Sequence, residues 1–336
     1  MMNILRIIAA LIGFAVILII LDTFSAPPLK AVQRGYRGTG MDEFYQPAEL
    51  KKQAAANQVP APEDKVDLAG QKSSEVYSNV KVLGDLDANE FIRLMTAITA
   101  WVSPQQGCAY CHTDNPAEDT LYTKVVARRM LQMTKHINAD WKPHVAATGV
   151  TCYTCHRGNP VPQNIWFDEK LPPHAGGFAQ AAIGKNTPSS VVGSASLPND
   201  VFKPFLEEAH NIRVAGTTAL PDNPQATIKQ TEWTYGLMMH FSESLGVNCT
   251  YCHNSRSFSD WSQSTPARGT AWYGIRMVRN LNVEYLDPLT STFPAARLGP
   301  HGDGPKVNCL TCHQGVYKPL FGASMLGDYP ELADNK

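Results

Sequence analysis

The chain has 336 residues and a formal net charge of −1, a size that allows two domains or one large one and a balance that excludes the basic excess of a nucleic-acid binder. Hydrophobic residues make up 43%, which excludes wholesale disorder, while charged residues stand at 18%, below the usual quarter. There are eight cysteines, and none precedes residue 108.

Residues 1–21 carry one charge, Arg6, and Ile7 to Leu21 is an unbroken apolar run. A bilayer core takes about 20 apolar residues in a helix, so residues 1–26 are expected to form a transmembrane anchor. The competing reading is a cleaved signal peptide. A cut after Ala26 would put Phe24 at the third position before it and Pro27 behind it, and both suit cleavage poorly. Residues 27–80 carry Pro, Ala, Gln and mixed charge with little periodicity, and read as an extended segment laid over the body. Asp87 is placed to cap a helix with Glu90 three residues on, after which Phe91, Leu94, Met95, Ile98 and Val102 form one apolar face. A second helix is expected from about Asp119 to Ala139, with Tyr122, Val126, Met130, Met133 and Ile137 aligned. Residues 161–225 are rich in Pro, Gly, Ser and Asn and look like a long connection. A third helix is expected near Gln230 to Leu245, with Thr234, Met238, Phe241 and Leu245 aligned. A fourth is expected near Thr270 to Leu286, with Trp272, Ile275 and Val278 aligned. No alternating strand pattern appears, so the fold class is mainly α with extensive irregular loops.

The cysteines fall into four pairs, Cys108/Cys111, Cys152/Cys155, Cys249/Cys252 and Cys309/Cys312, each with two residues between and a histidine directly after: His112, His156, His253 and His313. The segments read CAYCH, CYTCH, CTYCH and CLTCH and consume every cysteine. This is the attachment signature of c-type haem: two thiols add across the porphyrin vinyl groups, and the next residue points its imidazole at the iron. Disulfides would leave the histidines unexplained. Zinc ribbons need two pairs per metal and no histidine at a fixed next position. A thioredoxin-like pair needs a βαβ setting, which is absent. Four covalently bound haem c groups are therefore expected.

Each motif follows one expected helix, giving a two-fold internal repeat of dihaem units at 81–160 and 226–320, with a tail at 321–336. Gly149-Val150-Thr151-Cys152, Gly246-Val247-Asn248-Cys249 and Lys306-Val307-Asn308-Cys309 lead into their motifs alike. Lys30, Arg34 and Arg37 outnumber Arg6, which by the loop-charge rule would leave the C-terminal side in the cytoplasm. Covalent haem attachment is done on the outer face of the bacterial membrane, and this overrides the rule: the body is expected in the periplasm.

An electron-carrying iron needs a sixth ligand, Met or His. Met95, Met130 and Met238 lie 13, 22 and 11 residues before the first, second and third motifs, on helix faces that would look at a porphyrin. Met133 and Met239 are local competitors. For the fourth motif Met277 sits on the preceding helix, and six histidines lie outside the motifs: His136, His144, His174, His210, His240 and His301.

At this point the sequence resembles the tetrahaem cytochrome c subunit of purple-bacterial photosynthetic reaction centres, over about residues 33–320. The resemblance is most specific at Arg128-Arg129-Met130-Leu131, at His144 through Cys152, at Leu245-Gly246-Val247-Asn248-Cys249, and at Trp272 through Arg279. It implies Met95, Met130 and Met238 as sixth ligands of the first three haems and His144 as that of the fourth, which demotes Met277 to packing. It further implies reaction-centre core subunits that bind bacteriochlorophyll as partners. A small cytochrome c or a high-potential iron–sulfur protein is the implied soluble donor, and electron transfer to the photo-oxidised special pair the implied role. Some family members carry a lipid-modified cysteine after a cleaved signal. No cysteine is present here to modify, which favours the retained helix. Arg128, Arg129, Arg276 and Arg279 are candidate propionate partners. Two other roles fit the sequence less well than the carrier. A membrane-anchored tetrahaem quinol dehydrogenase would be shorter and mostly bis-histidine, and a multihaem reductase would need an open iron position.

Overall fold

A computed structural model describes residues 2–24, 29–33, 42–169, 189, 191–193, 195–212, 214 and 228–333. Arg34, Arg37, His174, the weighed cut after Ala26 and part of the expected connection at 161–225 lie outside the described residues. The apolar run forms α1 (Met2–Phe24), whose stretch Ile4–Asp22 is long and apolar enough to cross a membrane and buries none of its residues within the chain. Two short strands, β1 (Lys30–Gln33) and β2 (Asp42–Tyr45), pair antiparallel with Lys30 opposite Tyr45. Then come α2 (Pro47–Ala56) and α3 (Ser73–Val76). The segment expected to be extended thus holds a pair of strands and two helices. Its weak amphipathicity hid them, because α2 buries no residue at all.

The four helices expected before the motifs are α4 (Ala88–Val102), α5 (Tyr122–Asp140), α9 (Ile228–Leu245) and α10 (Pro266–Asn280). Between them lie α6 (Lys142–Val145), α7 (Cys152–His156) and α8 (Phe202–Leu206), and α11 (Cys309–His313) closes the series. Asp87 does cap α4, accepting from the Asn89 N–H at 2.9 Å. Its two oxygens also accept from the Ala69 and Gly70 N–H groups and so pin the incoming chain. Glu90 does not close a capping box and pairs with Arg93 instead, at 3.1 Å. Past Asn280 the helix loosens into a π turn, Leu281–Leu286.

Two cores hold these elements. In the first, Leu94, Ala97 and Trp101 of α4 pack with Leu320, Met325, Tyr329 and Leu332. The C-terminal stretch is therefore a lid on the first half as well as a tail. Arg93 fastens it, donating to the carbonyls of Glu63, Asp64 and Asp328 and lying 4.6 Å over the Tyr329 ring. In the second core, Leu237 of α9 and Ile275, Met277 and Val278 of α10 meet Trp166, Val201, Phe202 and Leu206. The described part of 161–225 thus supplies core residues, which its irregular Pro and Gly spacing concealed.

The apolar stripes of α4 and α5 read from the sequence face a cavity more than they face protein. Phe91, Met95, Ile98 and Val102 of α4 line it, as do all five aligned residues of α5. The buried protein seam of α4 runs beside the stripe at Leu94, Ala97 and Trp101, and that of α9 runs through Gly236, Leu237, His240 and Ser244.

Candidate haem sites

The cavity has a volume of 1160 Å³. It brings together Cys108, Cys111 and His112, then Cys152, Cys155 and His156, then Cys309, Cys312 and His313, with Met95, Met130 and His144 on its walls. The third motif, Cys249, Cys252 and His253, and Met238 lie outside it, and only Tyr251 of that motif reaches in. Met133 and Met277 also line it, whereas Met239 is 41% exposed on α9.

The motifs adopt two local shapes. The second and fourth are single helical turns with matching capping boxes, Thr151 with Thr154 and Asn308 with Thr311. Both end in a left-handed residue, Arg157 and Gln314 with φ 49° each, followed by Gly158 and Gly315 at φ 80° and 82°. The first and third are 3-10 turns over Gly107–Tyr110 and Cys249–Tyr251. There the hydroxyls of Thr123 and Thr265 donate to the carbonyls of Tyr110 and Tyr251, both at 2.5 Å.

The same correspondence runs through the surrounding helices. Gly158 N–H donates to the Trp101 carbonyl at 2.8 Å, and Gly315 N–H to Ser244 at 2.9 Å. The Asn138 side chain bonds both the N–H and the carbonyl of Val150, and Asn282 does the same to Val307. Counted from these matched bonds, Met95 of α4 corresponds to Met238 of α9, and Met133 of α5 to Met277 of α10.

All four motif histidines share one hydrogen-bond pattern. His112 Nδ1 donates to the Pro116 carbonyl at 3.3 Å, and His156 to Asn159 at 2.8 Å. His253 donates to Phe258 at 2.8 Å, and His313 to Val316 at 3.0 Å. A carbonyl only accepts, so each Nδ1 carries the proton and each Nε2 lone pair is left for a metal. Burial pushes the His313 pKa down to about 4 and lowers His156 and His253 too, which keeps the rings in the neutral, ligating form. The residues fit the group the motif calls for.

His144 shows the pattern as well, with Nδ1 donating to the Thr270 carbonyl at 2.9 Å and burial lowering its pKa. The other described histidines do not. His136 is held at both nitrogens, by Asp140 and Asn280 at 2.7 Å each. His240 lies buried against Ser244 and Phe202, with its pKa pushed down to about 3. His210 pairs with Glu208, and the Nε2 of His301 lies on the Glu169 carbonyl. The His144 and His313 rings lie 6.1 Å apart between centroids. Both rings would therefore be at hand to hold one haem iron.

Burial pushes the thiols of Cys152 and Cys252 up to about 11 and that of Cys309 up to about 12. A metal–thiolate cluster would need the opposite shift. The structure joins Cys155 to Cys312 as a disulfide, with Cα atoms 4.6 Å apart. Thioether attachment uses both thiols, so that bond has no place in a haem-bound form. The pairing does place the second and fourth motifs side by side.

Of the four arginines singled out, Arg128 alone lines the cavity, bonded to Asp119 at 2.7 Å. Arg129 lies 4.3 Å over the Tyr285 ring, Arg276 lies 4.5 Å over Trp272, and Arg279 donates to the Phe205 carbonyl. Sequence reasoning missed Arg297, which lines the cavity beside Tyr110 and Tyr122. It sits on no periodic element that would have flagged it.

A family model described as photosynthetic reaction centre cytochrome C subunit matches residues 25–333. The chain is 57% identical over 307 residues to the photosynthetic reaction center cytochrome c subunit of Rubrivivax gelatinosus, covering 91% of this chain and 84% of that one. It is 52% identical to the subunit of that name from Thermochromatium tepidum, covering 91% and 76%. It is 44% identical to the one from Roseobacter denitrificans, covering 90% and 85%.

Proposed function

The chain belongs to the family of photosynthetic reaction centre cytochrome c subunits, electron carriers with covalently bound haem c, and from that premise we propose how it does its work. It binds four haem c groups and carries electrons from a soluble periplasmic donor, a small cytochrome c or a high-potential iron–sulfur protein, to the photo-oxidised bacteriochlorophyll pair. Haem iron supplies the one-electron redox chemistry. The eight cysteines hold the porphyrins as thioethers, and His112, His156, His253 and His313 present Nε2 to the irons. Met95, Met130, Met238 and His144 are the sixth ligands of the first to fourth sites. What carries the reading is the shared Nδ1 hydrogen bond: it recurs at all four motif histidines and, among the other described histidines, at His144.

The packing supports a spatial order. Helix α4 of the first unit contacts α7, α7 contacts α11, and α11 contacts α9. The sites then follow one another as first, second, fourth, third. The third site stands at the membrane end. The Glu43 carboxylate of β2 accepts from the Asn248 N–H just before Cys249, and the Tyr45 hydroxyl donates to the Gly246 carbonyl. Strand β1 begins six residues after α1 ends, a reach of at most about 20 Å. The first site is then the one open to the donor, on the periplasmic side of the membrane that α1 anchors. The core subunits of the reaction centre dock at the other end.

The test is a saturating flash given to membranes that contain the subunit. Haem c is expected to be oxidised as the bacteriochlorophyll pair recovers. Recovery of the pair with no haem oxidation overturns the proposal.

A further inference from the structure

We infer that Gly274 decides which ligand the fourth site takes: the missing side chain at this position turns a methionine site into a histidine site. The inference rests on the reading of His144 as the distal ligand. The register between α5 and α10 is counted from their asparagines, because toward the helix starts the halves slip by two residues, Thr123 and Thr265 lying 15 and 17 residues before Asn138 and Asn282. Asn138 and Asn282 make the same pair of bonds to Val150 and Val307, and counting back eight residues from each asparagine pairs Met130 with Gly274. At the position where the first unit offers a thioether, the second unit offers nothing. Met277 does not take over, because its partner in the register is Met133, and it is buried in the second core.

The space left at Gly274 is filled by His144. A Cβ built on Gly274 would lie 2.6 Å from the His144 Cε1, 2.9 Å from Nδ1 and 3.3 Å from Nε2. Carbon atoms at van der Waals contact need roughly 3.5 Å, so even an alanine would collide with the ring. The carbonyl that orients the ring, Thr270, is one turn earlier on the same helix. Helix α10 thus supplies both the niche and the hydrogen bond that holds Nδ1 and leaves Nε2 for a metal, with the His313 ring 6.1 Å away. Replacing a thioether by an imidazole nitrogen lowers a haem potential. Residue 274 is therefore a positioning residue that sets one site of the chain apart from the other three.

The test uses the haem-loaded, full-length subunit, with near-infrared absorption and electron paramagnetic resonance as readouts beside a redox titration. Gly274→Ala is expected to displace the ring, so that the fourth site loses its two-nitrogen signal. Gly274→Met combined with His144→Ala is expected to put a thioether on the fourth iron. The thioether–iron band then rises by about a third, from three sites to four, and the fourth potential moves up toward the others. An unchanged fourth-site spectrum in Gly274→Ala overturns the inference, and so does a high-spin fourth site in the double variant. His144→Ala alone separates the two layers. If it leaves the fourth site unaltered, the ligand reading fails. If it alters that site while Gly274→Ala does not, the ligand reading stands and the role of Gly274 falls. Should the double variant not accumulate, Gly274→Ala carries the test with a single added methyl group.

Discussion

An imidazole serves an iron only as a neutral base pointing the right way, and a thioether only where it can reach. His112, His156, His253 and His313 meet the first condition through their Nδ1 bonds to carbonyls, whatever the shape of the turn beneath them. Met95 meets the second from the cavity wall. Met95→His should lower the potential of the first haem, since a nitrogen ligand replaces sulfur, and an unchanged redox titration would refute that assignment. At the surface, Arg128, with Lys124 and Lys81 beside it, holds the Asp119 carboxyl well below its ordinary 3.8. A depressed carboxylate pKa adds stability that is fully present above the unfolded-state value and is lost as pH falls through the folded-state value. Asp119→Asn is therefore expected to lower the unfolding midpoint by a constant amount down to about pH 5, with the gap to the parent protein closing below about pH 4. A gap that widens toward acid would contradict the clamp. The cysteines and the following histidines were legible from spacing alone. Gly274 was not, because an absent side chain leaves no pattern to read.

Among the elements, the asparagines that tie helix to motif carry the repeat. Asn282 is fully buried and holds the N–H and carbonyl of Val307 and the carbonyl of Leu206. Asn138 holds Val150 in the same way and also the carbonyl of Leu332. Removing either side chain leaves buried backbone groups unpaired, at about 1–3 kcal/mol. Asn138→Ala and Asn282→Ala should lower the thermal midpoint by similar amounts. A silent Asn282→Ala beside a damaging Asn138→Ala would break the equivalence of the halves. The four long helices were legible because three to four apolar residues recur per two turns. Their faces were harder to assign, since a helix between a protein core and a porphyrin has two apolar sides and periodicity does not say which is which. Pairing the first motif with the third and the second with the fourth was open to reading in the middle residue, Tyr110 with Tyr251 and Thr154 with Thr311. Only the hydrogen bonds of Thr123 and Thr265 and the two capping boxes give that residue its meaning.

At the scale of the whole molecule, α1 leaves its apolar stretch Ile4–Asp22 unburied by the rest of the chain. Replacing residues 2–24 by a cleavable secretory signal, in cells lacking the core subunits, should give a water-soluble protein that keeps its haems. A product that stays with the membrane fraction would mean that something other than α1 anchors it. Sequence patterns could not show that the chain's end folds back on α4, or that Trp166, Val201, Phe202 and Leu206 feed the second core, because both depend on contacts far apart in the chain. The His144–Thr270 bond is one such contact, spanning 126 residues and joining the two halves. Closing so long a loop costs entropy that contacts within either half do not, and it is recovered only when both halves already present their surfaces. The His144–His313 pair therefore exists only where the two halves are docked, since one ring comes from each.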